Sequence, residues 1–399
     1  MQARYRFDRM EVAGSLGDLG TLLPMSIGMI LINGLNPTGI FFSIGLFYVL
    51  SGLYFGIPVS VQPMKIISAY AIATAMTPAQ ITASAGIMGV VLLLVGLTNA
   101  TAVIEKFTPK AVVRGVQLST GVLLMAQGVN FMAGTTKFQV LRQLAEPYLH
   151  VQSIGLIPVG LLIGIAGGVL TLLLLDNRKV PAGLFILVSG LGIGALFGTH
   201  EGFGQLKIGF YPPHLMPLGF PGRVDFSFAL FALVIPQLPM TFGNAVVANA
   251  DLSREYFGQQ ARKASYRALA VSMGLSNLLS FLLGGIPLCH GAGGLAAHYR
   301  FGARSAGSNL IIGGLFLVLA LVLGVHALSI VYLIPMAVWG VLLLFAGSQL
   351  ALTALETQTR KELFVALIIL GITLASNLAI GFIAGIGVAF GMKSEKLTV

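Results

Sequence analysis

Residues 285–299 read GIPLCHGAGGLAAHY: four glycines, two histidines and a proline set between long apolar runs. The opening of this stretch has a near-copy earlier in the chain. Residues 45–59 read GLFYVLSGLYFGIPV and residues 274–288 read GLSNLLSFLLGGIPL; at an offset of 229 they agree at eight of fifteen positions, Gly45, Leu46, Leu50, Ser51, Leu53, Gly56, Ile57 and Pro58. The same offset aligns Tyr70 with Tyr299. An ordered Leu-Ser-x-Leu followed by Gly-Ile-Pro exceeds what shared apolar bias supplies. The chain is therefore read as two related halves, each with one broken apolar segment. In a membrane protein, paired breaks of this kind meet near the bilayer midplane and line a ligand site.

The rest of the chain agrees with a membrane setting. Of 399 residues, 56% are hydrophobic and only 9% charged, with mean hydropathy +0.92, which marks an all-α polytopic membrane protein. A single cysteine, Cys289, excludes an intrachain disulfide. The basic N-terminus leads into an apolar run without a small-residue cleavage site, so no signal peptide is read. The formal charge of +10 is assigned to loops on the cytoplasmic side rather than to nucleic acid.

Runs of about 20 apolar residues place spans near 12–32, 38–55, 80–99, 110–131, 154–175, 181–198, 226–249, 265–283, 308–324, 327–347, 361–375 and 377–392. Shorter segments near 63–76 and 290–300 follow the two Gly-Ile-Pro motifs. That makes about fourteen segments, seven on each side of the loop 199–225, and an odd number per half inverts the second half relative to the first. With the N-terminus inside, 18 of the 23 Lys and Arg residues fall on the cytoplasmic side, Arg4, Lys106, Arg178, Lys179 and Lys396 among them. Only Lys137, Arg142, Lys207 and Arg223 fall outside, and Lys65 falls within the membrane. This asymmetry supports fourteen spans with both termini cytoplasmic, in a plasma or inner membrane. Glycines at four-residue spacing, Gly160, Gly164 and Gly168, then Gly190, Gly194 and Gly198, then Gly381 and Gly385, are read as close helix packing in lipid.

The candidate chemistry gathers at the breaks. Pro63 opens a run that can be helical, so the first break reads as extended chain followed by a half-helix; residues 285–289 followed by His290, Gly291, Ala292, Gly293 and Gly294 read the same way. Two positive half-helix ends facing each other, with glycines exposing backbone N–H groups, make an anion site. Asp18 in GSLGDLGT and Lys65 in VQPMK are the charged residues expected at membrane depth. Lys65 either complements a bound anion or pairs with Asp18, and Asp18 is either a proton-coupling carboxylate or that partner. Pro236 and Pro239 are expected to break their helix. Gln237, Thr241 and Asn244 share one helical face, which serves either a ligand or a neighbouring helix. Gln62 is a further neutral donor, and His290 either donates to an anion or carries a proton. His298, Cys289 and Trp339 are read as packing residues.

The motifs GDLGT (17–21), VQPMK (61–65), PQLPMTFGNAV (236–246) and PLCHGAGGLAAHYRFGAR (287–304) resemble the molybdate transporter family, a branch of the sulfate permease superfamily. The resemblance runs over nearly the whole chain. It implies the seven-plus-seven inverted repeat of uracil-type and sulfate permeases. A core domain would come from residues 1–100 and 226–325, and a gate domain from 101–198 and 326–399. It implies a secondary active carrier of a tetrahedral oxyanion, molybdate or sulfate, working by alternating access; a coupling proton and a homodimer stay open. The expected substrate-binding set is Gln62, Lys65, Gln237, Thr241, Asn244, His290, Gly291, Gly293 and Gly294, with Asp18 and His290 as coupling candidates. A nucleobase permease of the same fold would be expected to set carboxylates against ligand N–H groups, and none lies in 236–244 or 288–299. An oxyanion sensor that moves nothing is a further alternative. The chain has no HExxH, no P-loop, and Ser-Leu-Gly-Asp where an intramembrane aspartyl protease has Gly-x-Gly-Asp, so neither an enzyme nor a cofactor is expected.

Overall fold

The two Gly-Ile-Pro breaks meet. In the computed structural model, which describes residues 5–98, 109–177 and 180–393, the strand Gln62–Pro63 (β1) pairs antiparallel with Leu288–Cys289 (β4), Gln62 opposite Cys289 and Pro63 opposite Leu288. A separate hairpin, Ser153–Ile154 (β2) with Ile157–Pro158 (β3), is the other described sheet. Arg4, Lys106, Arg178, Lys179 and Lys396 lie outside the described residues.

The other described elements are helices. The first half runs α1 (Arg9–Ser15), α2 (Leu19–Leu31), α3 (Pro37–Phe55), β1, α4 (Lys65–Thr74), α5 (Pro78–Thr98), α6 (Lys110–Ala133), α7 (Lys137–Arg142), α8 (Val159–Leu174) and α9 (Ala182–Phe197). The second half runs α10 (Arg223–Lys263), α11 (Tyr266–Leu282), β4, α12 (Ala292–Arg300), α13 (Gly307–Val331), α14 (Met336–Leu352), α15 (Arg360–Ala375) and α16 (Leu378–Gly391). Among the described residues six helices are long and apolar enough to cross a bilayer; α1 and α2, bent by 41° at their junction, make a seventh, and shorter apolar helices accompany them.

Local chemistry sets the boundaries. Asn36 caps α3, Pro37 occupies its first turn, and Gly56 ends it at φ +72°. The half-helices begin at Lys65 and Ala292, two residues later than expected: Pro63 is taken up in the strand crossing, and Met64 and Gly291 are extended cap residues. Pro63 thus sits in a strand rather than at a helix start. Pro236 and Pro239 do not break α10. Helix continues on both sides as π-helical stretches, Ala229–Val234 and Thr241–Ala248, which absorb the missing N–H donors in a wider turn. The span expected at 327–347 instead starts at Met336, after Pro335, and residues 327–331 continue α13.

Helices approach closely where glycines face each other. A Cβ on Gly128 of α6 would lie 2.6 Å from the Gly340 carbonyl of α14, and one on Gly121 2.6 Å from that of Gly347; each partner glycine is barred in return. The expected contacts exist at Gly160, Gly164, Gly190, Gly194, Gly198, Gly381 and Gly385, although Gly198 meets its own helix at the Gly194 carbonyl. Gly168 meets nothing within 4 Å, so packing does not explain it.

The chain leading into each strand needs hydrogen-bond partners that lipid cannot give. Two buried asparagines supply them. Asn309 of α13 accepts from Val59 N–H at 3.0 Å and donates to Val59 O at 2.8 Å. Asn277 of α11 accepts from Leu288 N–H at 3.0 Å and donates to Leu288 O at 2.8 Å. Val59 and Leu288 are equivalent at the offset of 229. Sequence reading missed both residues; a lone asparagine inside an apolar helix was the available signal. Replacing either by leucine strands one buried donor and one buried acceptor, at roughly 1–3 kcal/mol each. Asn277→Leu and Asn309→Leu should each lower the apparent melting temperature in detergent, whereas Leu310→Ala, one residue along, should shift it less.

Candidate functional site

A cavity of about 1230 Å³ penetrates the helices beside the strand crossing. Its deep end is lined by Gly20, Thr21 and Met25 of α2, Lys65 of α4, Gly243 and Asn244 of α10 and Gly293 of α12. Its other end is lined by Lys110, Arg114, Glu356, Gln358 and Glu362. There, Arg114 pairs with Glu356 and donates to Gln117 at 2.8 Å.

Lys65 is the cation of the deep end. It is the first residue of α4, is half-buried, and has no hydrogen bond or ion pair among the described residues. A Cβ placed on Gly293 would stand 3.7 Å from its Nζ, so the ammonium group lies against the start of α12. Asn244 also reaches the cavity, and its side-chain amide has no hydrogen-bond partner among the described residues.

The two half-helix ends are unequal. The end of α4 is already occupied: Gln237 Oε1 accepts from Ile66 N–H at 3.0 Å and Ile67 N–H at 3.3 Å, while its Nε2 donates to Thr241 Oγ1 at 2.9 Å. Gln237 and Thr241 therefore dock α4 on α10 and are buried away from the cavity wall. Asn244, on the same expected face, parts from them in the π-helical turn. The end of α12 has Gly291 at its cap position with no side-chain cap, and the N–H groups of Ala292 and Gly293 have no protein acceptor among the described residues. Gly294 N–H is taken by Gly291 O at 3.1 Å. An oxyanion would thus find one helix terminus, one ammonium and one primary amide rather than two opposed termini.

The other expected residues lie behind this wall. Asp18, at the junction of α1 and α2, accepts from Gln62 Nε2 with both carboxylate oxygens at 2.8 Å and also from the Thr21 hydroxyl, and it forms no ion pair with Lys65 within 4 Å. Gly291 and Gly294 are the residues without side chains that leave room for Gln62 and Asp18: a Cβ on Gly294 would stand 2.6 Å from Asp18 Oδ2. His290 turns the other way. Its Nδ1 meets Ser60 O at 2.7 Å, its Nε2 meets Ser272 Oγ at 3.1 Å, and its ring lies 4.5 Å from that of Phe47. His298 ties α12 to Gly14 O at 2.8 Å and to Tyr48 Oη at 3.2 Å.

A buried carboxylate away from this site escaped the sequence reading. Glu146 accepts from Met336 N–H at 2.9 Å and Ala337 N–H at 2.7 Å, capping α14. Its place in an expected loop hid it.

Discontinuous helices paired at a buried crossing, with a basic cavity beside them, define a membrane transport fold. The chain superposes on the transmembrane domain of a cyanobacterium bicarbonate transporter, BicA, with TM-score 0.65 over 96% of this chain and 98% of that one at 17% identity. Murine Slc26a9, an anion transporter solved in an inward-facing state, gives TM-score 0.66 over 98% of this chain and 69% of that one at 13% identity. A family profile described as "Molybdate transporter of MFS superfamily" matches residues 10–124 and 229–350. Molybdate transporter 1 of Arabidopsis thaliana is 30% identical over 96% of this chain and 87% of its own length. Molybdate transporter 1 of Chlamydomonas reinhardtii is 29% identical over 95% and 90%. The chain belongs to the molybdate transporter family. The profile's description cites the MFS superfamily, whereas the fold superposes on BicA and Slc26a9.

A charge-assisted contact is worth roughly 1.5–3 kcal/mol, so if Lys65 meets the oxyanion, Lys65→Met should weaken binding about 10–100-fold, with Lys65→Arg keeping part of it. Calorimetric titration of the folded variants with molybdate checks this; equal affinity in Lys65→Met and the parent would remove Lys65 from the site.

Proposed function

We propose that this protein is a secondary active carrier that moves molybdate across the membrane by alternating access. One observation carries the reading: a lysine, a helix terminus and an amide, none with a partner among the described residues, line one cavity. Fixed N–H donors around a positive charge suit a small dianion whose oxygens are all acceptors. Family membership favours molybdate over sulfate, which shares its charge and shape. The nearby Asp18 carboxylate is turned to Gln62, which argues against a nucleobase needing acceptors.

The fourteen-segment, seven-plus-seven inverted architecture belongs to this proposal. The antiparallel crossing of β1 with β4 supports it, as does the count of seven segments on each side of the 199–222 loop when α1 with α2, β1 with α4, and β4 with α12 are each taken as one and α7 is left out. The core would comprise α1–α5 with α10–α13 and the gate α6–α9 with α14–α16. Both termini would be cytoplasmic, and the cavity would open to the cytoplasm. One chain builds the whole site, so oligomerisation is not required for binding.

Uptake of labelled molybdate into sealed proteoliposomes tests the proposal and separates carrier from sensor. Unlabelled molybdate and tungstate should compete strongly, sulfate more weakly, and uracil or xanthine not at all. Gly293→Ala, which adds a methyl beside Lys65 Nζ, should lower apparent affinity, more for molybdate than for sulfate. Competition by a nucleobase and by no oxyanion would overturn the reading.

A further inference from the structure

The Gln62 amide holds an unusual position. Its Nε2 serves both oxygens of Asp18, and its Oε1, fully buried, has no hydrogen-bond partner. An ionised carboxylate is acceptor-only, so the amide end facing it must be the NH₂ end. The stranded Oε1 then points at the Cα of Gly291, where a Cβ would collide with it. The same Cβ would lie 3.6 Å from Asn244 Nδ2, so the stranded acceptor sits on the side of Gly291 that Asn244 occupies at the cavity wall. A buried, unsatisfied carbonyl costs roughly 1–3 kcal/mol, and its partial negative charge faces Gly291, next to the cavity-lining Asn244.

Protonating Asp18 reverses each of these disadvantages. A carboxylic acid donates one O–H, and the acceptor it needs is Gln62 Oε1. A half-turn of the amide about χ3 brings Oε1 to Asp18 and carries the NH₂ group to the Gly291 side. The stranded acceptor is satisfied, and two N–H donors replace it beside Asn244. The proton enters Asp18 as H⁺ and leaves as H⁺; no other bond forms or breaks. We propose that Asp18 and Gln62 form a proton-linked relay, in which a proton on Asp18 turns the Gln62 amide to present donors at the oxyanion site. The inference rests on the oxyanion reading and adds to it the way in which a proton favours the anion.

The surroundings give the sign. Lys65 of α4 is the charged group facing Asp18, Tyr48 of α3 and Cys289 of β4 are the other titratable ones, and α12 meets it through Gly294. An ionised Asp18 competes with a dianion for the field of Lys65; a neutral Asp18 leaves that field to the ligand. Proton and dianion therefore bind with positive coupling, and each raises the affinity for the other by the same factor. Cotransport of a proton with the anion follows, with the proton arriving at the carboxylate and the anion at the amide face.

The test uses the full-length protein and molybdate as the probe. Molybdate titrations from about pH 8 to about pH 6 should show affinity rising by up to about tenfold per unit in the parent. Asp18→Asn, whose side-chain amide can donate to Gln62 Oε1 without a proton, should bind with little pH dependence. In proteoliposomes it should still exchange internal for external molybdate, yet lose accumulation driven by a pH gradient. Gln62→Leu, which leaves Asp18 in place and removes the amide, should also flatten the pH dependence, and it decides the matter if Asp18→Asn does not fold. A parent slope that persists in Gln62→Leu or in Asp18→Asn overturns the relay, as does molybdate entry into parent vesicles without proton entry. A parent that binds no molybdate at any pH overturns the oxyanion reading, and the relay with it; binding with an unaltered slope overturns the relay alone.

Discussion

Everything at the centre of this molecule follows from the cost of leaving a peptide group unpaired in lipid. A helix satisfies its own N–H and C=O groups; a broken helix does not. The chain breaks after the helices that end at Phe55 and Leu282, and the exposed peptides must find partners inside the protein. Three devices provide them. The breaks pair with each other as β1 and β4, asparagine amides on neighbouring helices close on Val59 and Leu288, and Ser280 donates to Ile286 O at 2.6 Å. Once the crossing is fixed, the half-helices can start only where the strands end. Lys65 and Gly293 come together because each lies in the first turn of the helix that follows its strand.

That dependence explains what the sequence revealed. The offset of 229, the Gly-Ile-Pro pair and the placement of Asp18 and Lys65 at membrane depth are local patterns, and the crossing and cavity grew from them. Partner choice was not local. Gln237 and Asn244 lie seven residues apart on one nominal helical face, yet one plugs the end of α4 and the other reaches the cavity. The π-helical turn that separates them leaves little trace in the pattern of residues. His290 looked like a ligand because it stands alone at a half-helix start; Ser60 and Ser272, far from it in sequence, turn it into a tie. Asn277, Asn309 and Glu146 were overlooked for the same reason: each acts on backbone that only tertiary structure brings near.

The periphery obeys a different rule. Where α6 and α14 face each other, Gly121, Gly128, Gly340 and Gly347 remove side chains and let backbones approach. Gly20 and Gly183 do the same for α2 and α9 at the edge of the cavity. These contacts gain dispersion without hydrogen bonds. The centre is thus specified by directional polar bonds and the periphery by shape, so a methyl group added at a periphery glycine and an amide removed at the crossing damage the structure in different ways.

The cap on α4 has a consequence for number. A frame with twofold pseudo-symmetry offers two helix termini, and two equal termini would invite two anions, or one held indifferently between them. Gln237 occupies one terminus with a neutral carbonyl, while glycine leaves the other bare. The two half-helix starts are thus made unlike by a single glutamine. On the proposed oxyanion reading, one dianion would be seated for every two halves, off the axis and nearer the second.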